Sequence, residues 1–187
     1  MKSAIHQPHS PRLQRILLLS TALVLLGLPL AAQTTHPADK PIPALTKLFT
    51  DYEQEAGLEY VALSSRLLSM MRNSDKETSD ILNKLSSLYL IHIQNQSQQA
   101  SLTQRIQGDV QAMIKNLRYE QLMQVRKKNE AFSIYISPSI GPQGYSEALL
   151  VVISDAVSFS VMGITGTISQ TVIDAVMDGK IGVTNLF

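Results

Sequence analysis

Four histidines, at positions 6, 9, 36 and 92, are the only side chains of this 187-residue chain that ordinarily titrate near neutral pH, and there is no cysteine. The missing thiols exclude thiolate zinc sites, iron–sulfur clusters, thiol catalysis and a lipid-modified N-terminal cysteine. His36 stands beside Pro37 in a proline-rich stretch, whereas His92 sits in LIHIQ on the same strand face as Leu90 and Gln94. A general base needs a nucleophile and an orienting partner as well, so a single strand histidine reads first as structural. The competing reading is a hydrolase assembled from His92, a serine and a carboxylate far apart in sequence. No G-x-S-x-G frame surrounds any serine, and those at 64, 65, 86, 87, 158 and 160 read as strand ends and a polar sheet face.

Other chemistries find less. H-E-x-x-H is absent, and two histidines outside the N-terminal segment cannot supply a three-histidine zinc site. Asp174 and Asp178, at i and i+4, reach too few oxygens for a calcium loop, and Asp178-Gly179 reads as a helix stop. Asp51, Glu53, Glu55 and Glu59 are the candidates for paired carboxylates, and a solvated face accounts for them. Gly163 and Gly166 lack the G-x-G-x-x-G spacing and no phosphate-loop motif occurs, so no nucleotide, metal or other cofactor is expected, and no catalytic residue is assigned. Methionines 70, 71, 113, 123, 162 and 177 read mostly as core fillers.

The N-terminus has the pattern of an export signal. Lys2, Arg12 and Arg15 precede an uncharged run from Ile16 to Leu30, followed by Ala31 and Ala32. Fifteen helical residues extend about 22 Å, short of a hydrocarbon core of about 30 Å, so the run suits a leader better than a stable span. Residues 1–32 are read as a signal peptide cut after Ala32, with a retained anchor as the alternative, and the expected location is periplasmic or secreted. The leader holds three of the sixteen basic residues and none of the fifteen acidic ones, leaving the rest at −2. Such a chain lacks the field that binds nucleic acid, and Arg126-Lys127-Lys128 reads as a solvated turn.

Residues 33–42 form an expected extended linker, and 43–187 a single α+β domain. Leu45, Leu48, Phe49 and Tyr52 give one face of a helix stopped by Gly57. A strand over 58–64, a short helix over 66–71 and a helical stretch through Ile81, Leu82 and Leu85 follow, the last introduced by a Ser74/Glu77 capping box. A strand over 88–94 should lie inside a sheet, and Leu102, Ile106, Val110, Met113 and Leu117 define a long helix capped by Ser101 with Gln104. Strands over 120–127, 131–137, 145–154 and 157–165 are joined by short turns as an antiparallel meander, and a helix over 169–177 closes the order. These elements predict a mixed, largely antiparallel sheet of about six strands with helices packed on one face.

The segments LTKLFTDYEQEAG, YVALSSRLLSMM, ILNKLSSLYLIHI, YEQLMQV and GITGTISQTVIDAVMD, taken in order behind a signal peptide, resemble the DUF4252 family, exported proteins common in the Bacteroidota. The resemblance runs from about Pro43 to Val183. Members often carry an acidic loop where this chain has PSIGPQG, and more acid around the second helix. The resemblance implies an envelope or secreted protein without an assigned reaction, sometimes encoded near extracytoplasmic sigma-factor regulation, and it carries over no functional residues. The expectation is thus a non-enzymatic module that binds an envelope protein or peptide through a sheet edge or a helix-free sheet face, with no stable membrane span once the leader is removed.

Overall fold

The computed structural model describes residues 41–71 and 76–181. The signal-peptide reading, most of the expected linker, His36, and Ser74 with its capping box lie outside the described residues. In chain order the elements are α1 (Pro41–Thr50), β1 (Glu59–Ser64), α2 (Ser65–Met70), α3 (Lys76–Leu82), β2 (Leu85–Gln94), α4 (Ala100–Asn116), β3 (Glu120–Lys127), β4 (Glu130–Ile136), β5 (Ser146–Ser154), β6 (Ser158–Ile168) and α5 (Gln170–Met177). The fold is α+β, with a six-stranded sheet of order β1-β2-β6-β5-β4-β3 in which every pair is antiparallel.

The connection between β2 and β3 sets this order. α4 has 17 residues, about 25 Å of helix, enough to cross the four inter-strand spacings of about 4.8 Å that separate β2 from the far edge. The meander β3-β4-β5-β6 then works back until β6 closes against β2.

The helices cover both faces of the sheet, not one. Leu45, Leu48 and Phe49 of α1 and Leu102, Ile106, Val110 and Met113 of α4 pack with Ile91, Ile93, Leu150, Phe159 and Val161. On the opposite face Leu68 of α2, Ile81 and Leu82 of α3, and Val172, Ala175 and Val176 of α5 pack with Leu88, Leu90, Leu149, Val151, Met162 and Ile164. The reason is the composition of the middle strands: consecutive residues such as Leu90-Ile91 and Leu149-Leu150 point to opposite faces, and all four are fully buried. Both faces must therefore be roofed.

A glycine sets how closely α1 approaches. A Cβ on Gly163 would stand 2.5 Å from Phe49 Cε2 and 2.8 Å from Leu45 Cδ2. Phe49 uses that space to stack on Tyr89, with ring centroids 5.3 Å apart. Gly166, with φ of +137° and no room for a side chain against the Lys84 carbonyl, marks the bulge that ends the β2–β6 ladder. Both glycines serve packing.

Local details depart from the sequence reading. Pro41 and Ile42, the last residues of the expected linker, already belong to α1. Leu85 is in β2, because α3 ends at Leu82 and the strand starts three residues earlier than its branched core suggests. Gln99, not Ser101, caps α4, without a side-chain hydrogen bond, so the expected capping box is absent. Of the methionines, Met113 and Met162 are buried, but Met70, Met71 and Met177 are exposed.

Candidate functional site

One rung crosses all six strands just before the β5–β6 turn. In register it reads Val125 on β3, Phe132 on β4, Ile153 on β5, Ser160 on β6, His92 on β2 and Glu59 on β1. Alternation places it on the face that carries α2, α3 and α5. The next rung inward, Met123, Ile134, Val151, Met162, Leu90 and Val61, contains the buried centre of that face. The outer rung lies where the helical roof ends, so Phe132, Ile153 and His92 are only half-buried and Val125 and Glu59 are exposed.

The polar half of the rung gathers side chains from three segments. His92 Nδ1 and Ser160 Oγ are 2.8 Å apart, and Ser160 is buried. Glu59 lies directly across β1–β2 from His92, at the neighbour distance of about 5 Å typical of cross-strand Cβ pairs. Asp155 stands in the adjoining β5–β6 turn. Its Oδ1 accepts from the Val157 and Ser158 amides at 2.7 and 2.8 Å and its Oδ2 from Ser158 Oγ at 2.5 Å. The hydroxyl and amide bonds, in that order, hold this carboxyl below the usual aspartate range. Gln96 Nε2 donates to the Asp155 carbonyl, tying the turn to the end of β2.

This geometry brings His92 to a serine, one of the two contacts the hydrolase reading requires, but among the described residues no carboxylate is hydrogen-bonded to the imidazole, and the Asp155 oxygens are taken by Val157 and Ser158. Ser160, however, sits within a strand laddered on both sides, by β2 and by β5. Strand amides beside it are committed to those ladders, whereas an oxyanion hole needs amides aimed at the reacting atom. Among the described residues no group of three His, Asp or Glu is arranged to hold a metal ion.

The apolar half forms a groove of about 420 Å³. Met123, Val125, Ala131, Phe132 and Ile153 line it, Met177 of α5 walls it, and Lys127, Glu130 and Asp155 stand at its lip. The groove runs beside β3, an edge strand almost wholly exposed on both faces. Leu122 is 46% and Val125 40% exposed. Among the described residues helices pack on both faces, so the expected helix-free face is absent; this groove and the β3 edge stand open beside each other. Sequence reasoning missed the groove because it treated Met123 and Met177 as core. The alternation of β3, Met123-Gln-Val125-Arg-Lys127, was its available signal.

The remaining candidates serve the scaffold. Asp51 pairs with Lys47, and Glu55 with Arg105. Arg105 also lies over the Tyr52 ring, 5.4 Å from its centroid, while Tyr52 OH donates to Asp109 Oδ2 at 2.5 Å, so this cluster fastens the end of α1 to α4. Burial first, and the Asp109 carboxylate second, push the Tyr52 phenol well above its usual range. Asp174 accepts from the Gln170 amide and, through its carbonyl, from the Asp178 backbone. Ser87 meets Thr165 across β2–β6. Among the described residues no helix is long and apolar enough to cross a membrane.

Fold and rung together define an antiparallel six-stranded α+β protein, roofed by helices on both faces, with an apolar groove beside its β3 edge. The chain belongs to the family described as Domain of unknown function (DUF4252), which it matches over residues 52–176, from the end of α1 to α5. No curated protein matches the chain. No solved structure matches it.

Proposed function

We propose that this is an exported cell-envelope protein that works without catalysis, by adding an extended segment of an envelope partner to the β3 edge. The carrying observation is an eight-residue edge strand, exposed on both faces, beside an apolar groove. An incoming strand satisfies its amides and carbonyls on β3 while alternate side chains enter the groove over Met123 and Val125. Export is supported by the basic, then apolar, then small-residue order of residues 1–32. A place in extracytoplasmic sigma-factor regulation fits a module that binds in the envelope. A photo-reactive residue at Val125 in living cells is expected to give a discrete adduct that Gln124→Pro abolishes, since proline cannot donate to a ladder. No adduct from Val125 or Leu122 overturns the reading. Sequencing of the mature N-terminus is expected to begin at Gln33; a retained leader replaces export in soluble form by anchoring.

The His92–Ser160 contact favours a second reading, a hydrolase with Ser160 as nucleophile, His92 as base and Glu59 or Asp155 as orienting carboxylate. It requires turnover of activated esters that His92→Ala and Ser160→Ala each abolish in a folded protein.

A further inference from the structure

We infer that the partner fitting the β3 edge is a second copy of this chain, paired antiparallel about Gln124 so that two six-stranded sheets join into one. This rests on the edge-binding reading above and names its partner.

β3 reads Glu120-Gln-Leu-Met-Gln-Val-Arg-Lys127, and its register against β4 slips between Gln121 and Met123. Counting Gln121-Leu122 as one rung because of that bulge, Glu120, Met123, Val125 and Lys127 share the groove face, opposite Ile136, Ile134, Phe132 and Glu130. Two copies of an edge strand joined by a two-fold axis normal to the sheet must pair like face with like face. With Gln124 opposite itself, Met123 meets Val125 of the second copy, the bulge pair meets Arg126, and Glu120 meets Lys127. Each of these contacts occurs twice.

The register is self-complementary in charge and in apolarity. The basic end of an edge strand ordinarily repels other strands; here Glu120 of the second copy neutralises it, and only in this alignment. Lys127 is free to adopt that partner because its own-chain contact, Glu130 Oε2 at 3.6 Å, is exposed. Among the described residues the outer edge of β3 has no neighbouring strand. The other edge, β1, is shorter and leads directly into α2, which packs back on β1 and β2. Pairing at β3 also joins the two grooves across the seam through Met123 and Val125.

Sedimentation of the mature chain, with circular dichroism as the folding control, tests this. A dimer is expected at micromolar concentration. Glu120→Lys and Lys127→Glu should each weaken it about tenfold, since each reverses two cross-strand charge pairs. An equimolar mixture of the two variants should associate again, because both charge pairs are then restored. The chain has no cysteine, so Gln124→Cys should give one disulfide-linked dimer on oxidation, its Cα separation falling in the bonding range, while Ala62→Cys on the β1 edge should not. A monomer at all concentrations with a Val125 adduct to a different polypeptide overturns the second-copy assignment and leaves the edge reading standing. A monomer whose β3 captures nothing overturns both.

Discussion

His92 Nδ1 stands 2.8 Å from Ser160 Oγ across the β2–β6 ladder, joining residues 68 positions apart in the chain. The contact is partly buried, at the point where the helical roof gives way to the open groove. A double-mutant cycle of His92→Ala and Ser160→Ala should return a coupling of about 0.5–1.5 kcal/mol by denaturant unfolding. Additive losses would mean that the two side chains sit together without holding the strands.

Asp155 governs how the β5–β6 turn responds to acid. Its folded carboxyl titrates below its usual value because Ser158 Oγ and two backbone amides bind the charged form. The stability it adds is therefore complete above the unfolded pKa, near 3.8, and disappears as pH falls through the lower folded value. Asp155→Asn should flatten the fall of the urea midpoint between pH 5 and pH 2, roughly the window in which a depressed aspartate is protonated. An unchanged pH profile would remove this carboxylate from the acid response.

Gly163 tests the closeness of α1. Replacement by alanine drives a methyl group against Phe49 and Leu45, both fully buried, and should cost about 1–3 kcal/mol, the range for overpacking a core. Gly108, exposed in α4 with nothing near its missing Cβ, gives the opposite sign: Gly108→Ala should raise stability by roughly 0.5–1 kcal/mol through helix propensity. Thermal or urea midpoints of the two variants check both.

Tyr119 carries a buried hydroxyl with no hydrogen-bond partner among the described residues, and burial pushes its phenol far above the usual range. Tyr119→Phe keeps the ring in the α1–α4 core and removes the orphan donor. Stability should rise by about 1 kcal/mol, read from the urea midpoint at constant slope. A loss of that size would show that the hydroxyl is satisfied in solution.

Much of the architecture was legible in residue order because local periodicity is a local property. The spacing of Leu102, Ile106, Val110 and Met113 defines α4, and all four are buried; the short turns after Lys127 and Ser154 define the antiparallel neighbours β3-β4 and β5-β6. The two-sided helical roof was within reach as well, since Ala148 to Ile153 is apolar in both alternations, and a strand of that kind needs cover above and below. Boundaries failed where tertiary contacts extend an element beyond its own propensity, as at Leu85, held in β2 by pairing to Gly166.

The amino-acid order alone determined which segments are helix or strand and the chemistry that is absent with cysteine, because those depend on composition and on contacts a few residues apart. Only the tertiary structure decided that β2 lies beside β6 and that His92 therefore meets Ser160. Closing that pair depends on α4 crossing the sheet and on the meander returning, a long-range choice that no short window of sequence encodes. The open rung at the end of the helical roof was decided in the same way, by where α2, α3 and α5 stop covering the sheet.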